Sequence, residues 1–336
     1  MLPGELRTYF RIVLAKFTKR PLFTKRYIIK LEVILYIIIT TGSIMAKTAR
    51  TFHIYRFQIL PTFSEKDFDL YFPPQFEIKS VEELASKKNQ LFANALRKEA
   101  DLKHSWATLT HQLYEVDDFF VLKIGANRGL VRITKDFVEE VLDNWPSAYV
   151  LINNDPDVQL MAIELEPQAF EKTSTVVNIL TANINERLEK YRLSLEISPV
   201  TSVTEFWKII KANEKRVTRV EFFMIAPNLA NISKTLGLDL KELRSQTNSL
   251  RTNLSLEAPP GETLTLSEDD SFTKSLVDYS SKGGGTAHVK IKGYKKLVKT
   301  EDNIRTLEVD EIYFSGDNAE KVAKQLLEQL RKDIEE

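Results

Sequence analysis

Residues 149 to 225 combine apolar alternation with helix punctuation in an order that leaves few folds open. A hairpin is expected from Tyr149 to Asn153 and Val158 to Glu164, turning at Asn154-Asp155-Pro156-Asp157. A helix from Pro167 to about Leu188 and a strand from Tyr191 to Ile197 follow. Ser202 and Glu205 then form a capping box before a helix whose Val203, Phe206, Trp207 and Ile210 keep i, i+3, i+4, i+7 spacing, and a strand runs from Val217 to Ile225. This β-β-α-β-α-β order predicts an α+β fold, with helices packed on a mixed β-sheet or two packed α+β modules.

The flanks extend the pattern. Thr51 to Leu60 sets His53, Tyr55 and Phe57 against Phe52, Ile54 and Arg56, as in a strand. Ser80 with Glu83 caps a helix carrying Leu84, Leu91, Phe92 and Ala95 on one stripe, ending near Ala100. Leu113 to Ile124 and Leu130 to Ile133 read as strands around an Ala126-Asn127-Arg128-Gly129 turn, and Asp136 to Asn144 as a short helix. Beyond Pro227 a helix from Leu236 to Leu250 is expected, then a strand from Thr252 to Ala258 and a Ser267-capped helix to Ser281. A basic strand, a strand near Arg305 to Phe314 and a closing helix from Asn318 complete the order. The expected modules are 45 to 226 and 227 to 336.

Several chemistries are closed to this chain. It has no cysteine, which excludes disulfides, thiolate zinc sites, iron–sulfur clusters and cysteine nucleophiles. His53, His104, His111 and His288 form no HxH or HExxH pair, so no metal site is expected. There is no GxxxxGK[ST], strand–GxGxxG–helix or GxSxG, so no nucleotide cofactor and no small-molecule substrate is indicated.

Net charge is zero, but residues 1 to 44 hold eight basic side chains against Glu5 and Glu32. This leader ends in an apolar run, Leu31 to Ile39, too short for the roughly 20 residues that span a bilayer and without an A-x-A-like cleavage site. Because Met45-Ala46-Lys47-Thr48 reads as a start before a good strand, residues 1 to 44 are expected to lie upstream of the true start and the protein to be cytoplasmic. Membrane association through residues 27 to 44, or an ordered extra helix, is the alternative if the leader is retained.

The strongest functional signal is Tyr279 to Thr300, with six lysines and no acid. Gly283, Gly284 and Gly285 read as a hinge after Lys282, leading into a strand with Val289 and Ile291 on one face and His288, Lys290 and Lys292 on the other. Lys295 and Lys296 prolong the ridge past Gly293. Glycine N–H groups admit an anion closely, and a lysine row neutralises successive phosphates. Edge lysines also guard against strand aggregation, and glycines end helices. A second ridge, Lys241, Arg244, Asn248 and Arg251, stacks at i, i+3, i+7 and i+10 opposite the leucine stripe, with amide and cations suited to bases and phosphates. DNA or RNA is therefore the expected partner, with both ridges in one footprint.

Two alternatives stay open: a metal-dependent nuclease using Asp117, Asp118, Glu164 or Glu166, although no tight D…ExK pattern is present, and a protein-interaction subunit whose basic arm docks an acidic partner. Finally, Val220-Glu221-Phe222-Phe223-Met224-Ile225-Ala226-Pro227-Asn228, a leucine helix, Tyr279 and the glycine triplet together resemble uncharacterised bacterial proteins of anti-phage defence neighbourhoods. The resemblance covers less than a tenth of the chain. It implies a cytoplasmic defence component that binds phage or nucleic-acid material, with a protein partner from the same defence complex, and transfers no active site.

Overall fold

The computed structural model describes residues 49 to 97, 102 to 226 and 240 to 310. The leader, the Pro227-Asn228 segment, Leu236, the expected helix from Asn318 and the side chain of Lys241 lie outside the described residues.

The large sheet is built on β1 (Ala49–Pro61), whose alternation was legible. Around it lie β2 (Leu109–Val116), β3 (Phe119–Ala126), β6 (Ser147–Asn153), β7 (Leu160–Glu164), β8 (Leu193–Pro199) and β13 (Thr306–Asp310). The order is β13-β1-β7-β6-β3-β2, with β8 also on β1. One edge of β1 serves two strands: β13 pairs with Ala49 to His53, and β8 pairs with Tyr55 to Pro61. The other edge pairs with β7.

Tyr55, Phe57 and Ile59 face a helical layer of α2 (Val81–Arg97) and α3 (Thr173–Leu188), preceded by the short α1 (Phe68–Tyr71). Phe57 stacks on Phe92 with ring centres 4.8 Å apart. The Ser80 hydroxyl accepts the Glu83 amide at 3.1 Å, so the predicted cap forms. Val121, Leu151 and Leu307 pack with Phe52 on the opposite face.

The small sheet has the order β10-β9-β11-β12, from β9 (Val217–Ile225), β10 (Arg251–Glu257), β11 (Gly285–Ile291) and β12 (Val298–Lys299). Its inner side chains, Val220, Phe222, Met224, Ala287, Val289 and Ile291, bury against α4 (Val203–Ala212), α5 (Leu240–Thr247) and α6 (Ser271–Tyr279). Ser202 caps α4 through the Glu205 amide at 3.3 Å. Asp270, not Ser267, caps α6: its carboxylate accepts the Thr273 amide at 2.7 Å, which draws its pKa down.

The α+β class is as expected, but every strand pairing among the described residues is antiparallel rather than mixed. The β7-α3-β8 crossover yields two parallel strands, yet β1 lies between them and pairs antiparallel with both. The expected boundary at residue 226 does not follow the sheets: β9 is central to the small sheet, and β13 returns to the large one, within one compact unit.

The segment from Asp136 to Asn144 is not a helix. A turn at Thr134 to Val138, with Phe137 at φ 60°, joins β4 (Leu130–Ile133) to β5 (Glu139–Leu142) in a separate hairpin. Val138 and Val141 mimic a helical i, i+3 pair. The β-branched character of β4 and the cross-strand Arg132–Glu140 pair at 2.7 Å favour the extended form.

The glycine triplet sits where the sheets meet. Gly283, at φ 83°, lies so close to Arg56 that an added Cβ would stand 2.4 Å from its Cβ. A Cβ on Gly285 would fall 2.0 Å from the Phe223 carbonyl oxygen, fixed in β9. Gly285→Ala is therefore expected to destabilise by about 2–3 kcal/mol in urea unfolding. Gly261→Ala, also at positive φ but with open space around it, should lose only about 1 kcal/mol. Equal losses would remove the packing explanation.

Candidate nucleic-acid interface

The outer face of the small sheet carries the polar half of the β9 and β11 alternation. Lys290 stands opposite Arg219, and His288 opposite Glu221. The His288 ring lies 4.7 Å from that of Phe223, and its Nε2 meets the Glu301 carboxylate at 3.0 Å. Lys299 reaches the same carboxylate at 3.4 Å, and Arg219 pairs with Glu221 at 3.3 Å. Arg219 and Lys299 are therefore partly neutralised where they stand.

The turn between β11 and β12 differs. Lys292, Tyr294, Lys295 and Lys296 are exposed, and Gly293 takes φ 90°, which lets the chain reverse. Arg216, one residue before β9, holds this turn from below. Its amino group donates to the Lys292 carbonyl at 3.0 Å, its carbonyl accepts the Lys292 amide at 2.7 Å, and its guanidinium lies 5.4 Å from the Tyr294 ring centre. Lys290 donates to the Tyr294 carbonyl at 3.4 Å. One exposed aromatic ring thus has Arg216 against it and shares its turn with Lys292, Lys295 and Lys296, with Lys290 bonded to its backbone, and no acid interrupts residues 290 to 300.

The remaining expected site residues are elsewhere. Gly283, Gly284 and Gly285 are buried, so the mobile phosphate-binding hinge is replaced by a packed junction. Lys282 is exposed, but its carbonyl accepts from Arg56 Nε at 2.7 Å, at the far end of β11 from the lysine turn. On the second ridge, Arg244 is half-buried and donates to the Pro61 carbonyl at 2.6 Å; burial lowers its pKa. Arg251 pairs with Glu196 at 2.8 Å. Asn248 is exposed beyond α5 in a left-handed conformation.

Arg251 is level with Ile225 and Ile291 with Val217, so eight residues of β9, roughly 27 Å, separate the two ridges. They do not form one footprint. Arg216 and Tyr294 were missed because only strand register brings residue 216 under residue 294. The visible signal was a tyrosine between Gly293 and Lys295.

The carboxylates are also dispersed. Glu164 is buried, paired with Arg50 at 3.1 Å, and accepts the Tyr149 amide at 3.0 Å. Asp117 and Asp118 occupy the β2–β3 turn, whose end aligns with Asn153 and Leu160. Glu164 is four residues further along β7, roughly 13 Å away. Glu166 accepts the Gln168 amide at 3.3 Å in the following turn. Among the described residues, no three acidic or histidine side chains converge as a cation cage.

One hydroxyl–imidazole pair does occur. The Thr173 hydroxyl, at the start of α3, contacts His53 Nδ1 at 2.8 Å and the Tyr55 hydroxyl at 2.7 Å. Thr173 is only 3% exposed, which closes it to a substrate; the cluster anchors α3 to β1.

Comparison with family models, characterised proteins and solved structures finds no match to this chain. Among the described residues, no helix is long and apolar enough to cross a membrane.

Burial lowers the His53 pKa below its ordinary value of 6.5. The unfolded chain therefore takes up a proton that the folded chain resists, and stability present above pH 6.5 declines as pH falls through and below it. Chemical denaturation from pH 7 to 5 should show this decline, bounded by about 1.4 kcal/mol per pH unit for one group. His53→Gln should flatten it; an unchanged pH profile would assign the loss to other groups.

Proposed function

We propose that this protein binds DNA or RNA through the β11–β12 turn, as a cytoplasmic component of a bacterial defence or regulatory system. The observation that carries the reading is the acid-free turn that exposes Lys292, Lys295 and Lys296 beside Tyr294, with Arg216 against its ring and Lys290 bonded to its carbonyl. Lysines on a short turn neutralise neighbouring phosphates without reading sequence. An aromatic ring between them offers a stacking platform for an unpaired base, which duplex DNA does not present. Arg216 holds the turn through two backbone hydrogen bonds, so less ordering entropy is lost on binding. The defence setting rests on the sequence resemblance around β9 and the glycine triplet.

The combined change of Lys292, Lys295 and Lys296 to Ala should lower the magnitude of the log K against log salt slope by roughly 2–3 on duplex DNA, and by roughly 2 on single strands. Tyr294→Ala should weaken single-strand binding by about 1–3 kcal/mol while leaving the slope unchanged. Arg251→Ala, at the other end of the sheet, should alter neither. Fluorescence anisotropy at several salt concentrations checks all three. Absence of binding to both DNA and RNA at low ionic strength would refute the reading.

A further inference from the structure

The β4–β5 hairpin exposes a concentration of apolar side chains. Val131 is 59% exposed, Ile133 67% and Phe137 90%, with Leu130, Val138 and Val141 also outward. The hairpin is a sheet of its own with no third strand among the described residues. Two-stranded ribbons are marginal alone, and exposed apolar patches with open edges mark association sites.

The hydrogen-bond ladder shows what the edge offers. Thr134 donates its amide to the Val138 carbonyl at 2.9 Å, and Arg128 to the Asn144 carbonyl at 2.9 Å. Antiparallel ladders alternate, so Arg132 with Glu140 and Leu130 with Leu142 are the bonded pairs, whereas Val131 with Val141 and Ile133 with Glu139 are not. Val131 and Ile133 therefore turn their own N–H and C=O groups out along the free edge of β4.

Charge selects the occupant. From Leu130 to Asp143 the hairpin holds Arg132 and Lys135 against Asp136, Glu139, Glu140 and Asp143, which opposes an anionic lipid surface. The acids concentrate on and beside β5. Pairing β5 with a second β5 would set Glu140 against Glu140, or Glu139 against Asp143. β4 carries one charge, Arg132, already neutralised by Glu140 at 2.7 Å.

Two in-phase self-pairings align three residue pairs within β4. Val131 opposite Ile133 of a second copy brings the two Arg132 residues face to face; Val131 opposite Val131 sets each Arg132 beside Leu130. Only the second avoids like-charge opposition. It merges Val131, Ile133 and Val141 of both copies into one apolar patch with Glu139 at its margins.

We propose that the chain forms a two-fold dimer by antiparallel pairing of β4 with β4 of a second copy, centred on Val131. Such an interface is isologous and closed, and the hairpins become one four-stranded sheet. This inference is independent of nucleic-acid binding.

The chain lacks cysteine, which makes the register directly testable. Val131→Cys would bring two sulfurs together across a bonded pair about 5.5 Å apart between Cα atoms, within disulfide reach. Sedimentation velocity of the full chain should show a concentration-dependent monomer–dimer equilibrium. Mild oxidation should cross-link Val131→Cys quantitatively and leave Val141→Cys monomeric on denaturing gels. Val131→Pro removes an outward N–H without touching the hairpin ladder, and should weaken the dimer at least tenfold.

A monomer at every concentration would overturn the proposal. So would a dimer unaffected by Val131→Pro, or cross-linking of Val141→Cys as fast as of Val131→Cys. Because Val131→Cys is a small change in an exposed side chain, the cross-linking arm stands even if the proline variant misfolds.

Discussion

The guanidinium of Arg56 ties together parts of the chain that are more than two hundred residues apart. It is half-buried in the middle of β1 and donates to the Val158 carbonyl before β7 and to the Lys282 carbonyl before β11, both at 2.7 Å. Burial lowers its pKa to about 10, which still leaves it charged near neutrality. A charge-assisted bond to each carbonyl satisfies backbone groups that the junction would otherwise strand. Gly283 packs on its aliphatic stem, so the segment before β11 can approach β1 only if that position lacks a side chain, and Gly285 lets β11 close against the Phe223 carbonyl of its neighbour β9 within the small sheet. Within the small-sheet layer, the Tyr279 hydroxyl donates to the Ile225 carbonyl, and its ring fills the space beside Gly284.

This junction accounts for the division of labour along β11. Its first residues are locked between sheets, its inner side chains fill the core under β9, and its last residues emerge at the free end of the small sheet with their lysines outward. Arg251 and Arg244 are engaged by a carboxylate and a carbonyl, and Arg219, farther along β9 opposite Lys290, by Glu221. Lys292, Lys295 and Lys296 are exposed on the distal turn with Tyr294. Burial and backbone pairing therefore separate structural cations from those available to a polyanion, although all are equally basic in sequence.

Much of the local structure was legible. The alternation of β1, the Ser80 and Ser202 caps, the β6–β7 hairpin and the strand at β9 all follow from periodicity and capping chemistry that act within a few residues. The helix expected over 136 to 144 failed because two valines three apart match helical spacing over too short a stretch to fix it. The turn at Phe137 and the cross-strand partner of Arg132 decide between them. The cap of α6 shifted from Ser267 to Asp270 for a related reason. Both residues can accept an amide hydrogen, and the start of α6's buried stripe of Thr273, Leu276 and Val277 selects the second.

What the sequence determined alone was the α+β class, the exclusion of thiol chemistry and the outward face of the basic strand, since each depends on composition or on side-chain period. The tertiary structure decided that the glycine triplet is a packed junction, that the two basic ridges lie at opposite ends of the small sheet, and that Arg216 supports Tyr294. It also returned β13 to the edge of β1 beside β8. Each of these depends on strand register and on which surfaces meet. Such pairings join residues far apart in the chain, and no local pattern encodes which of several compatible strands will lie alongside.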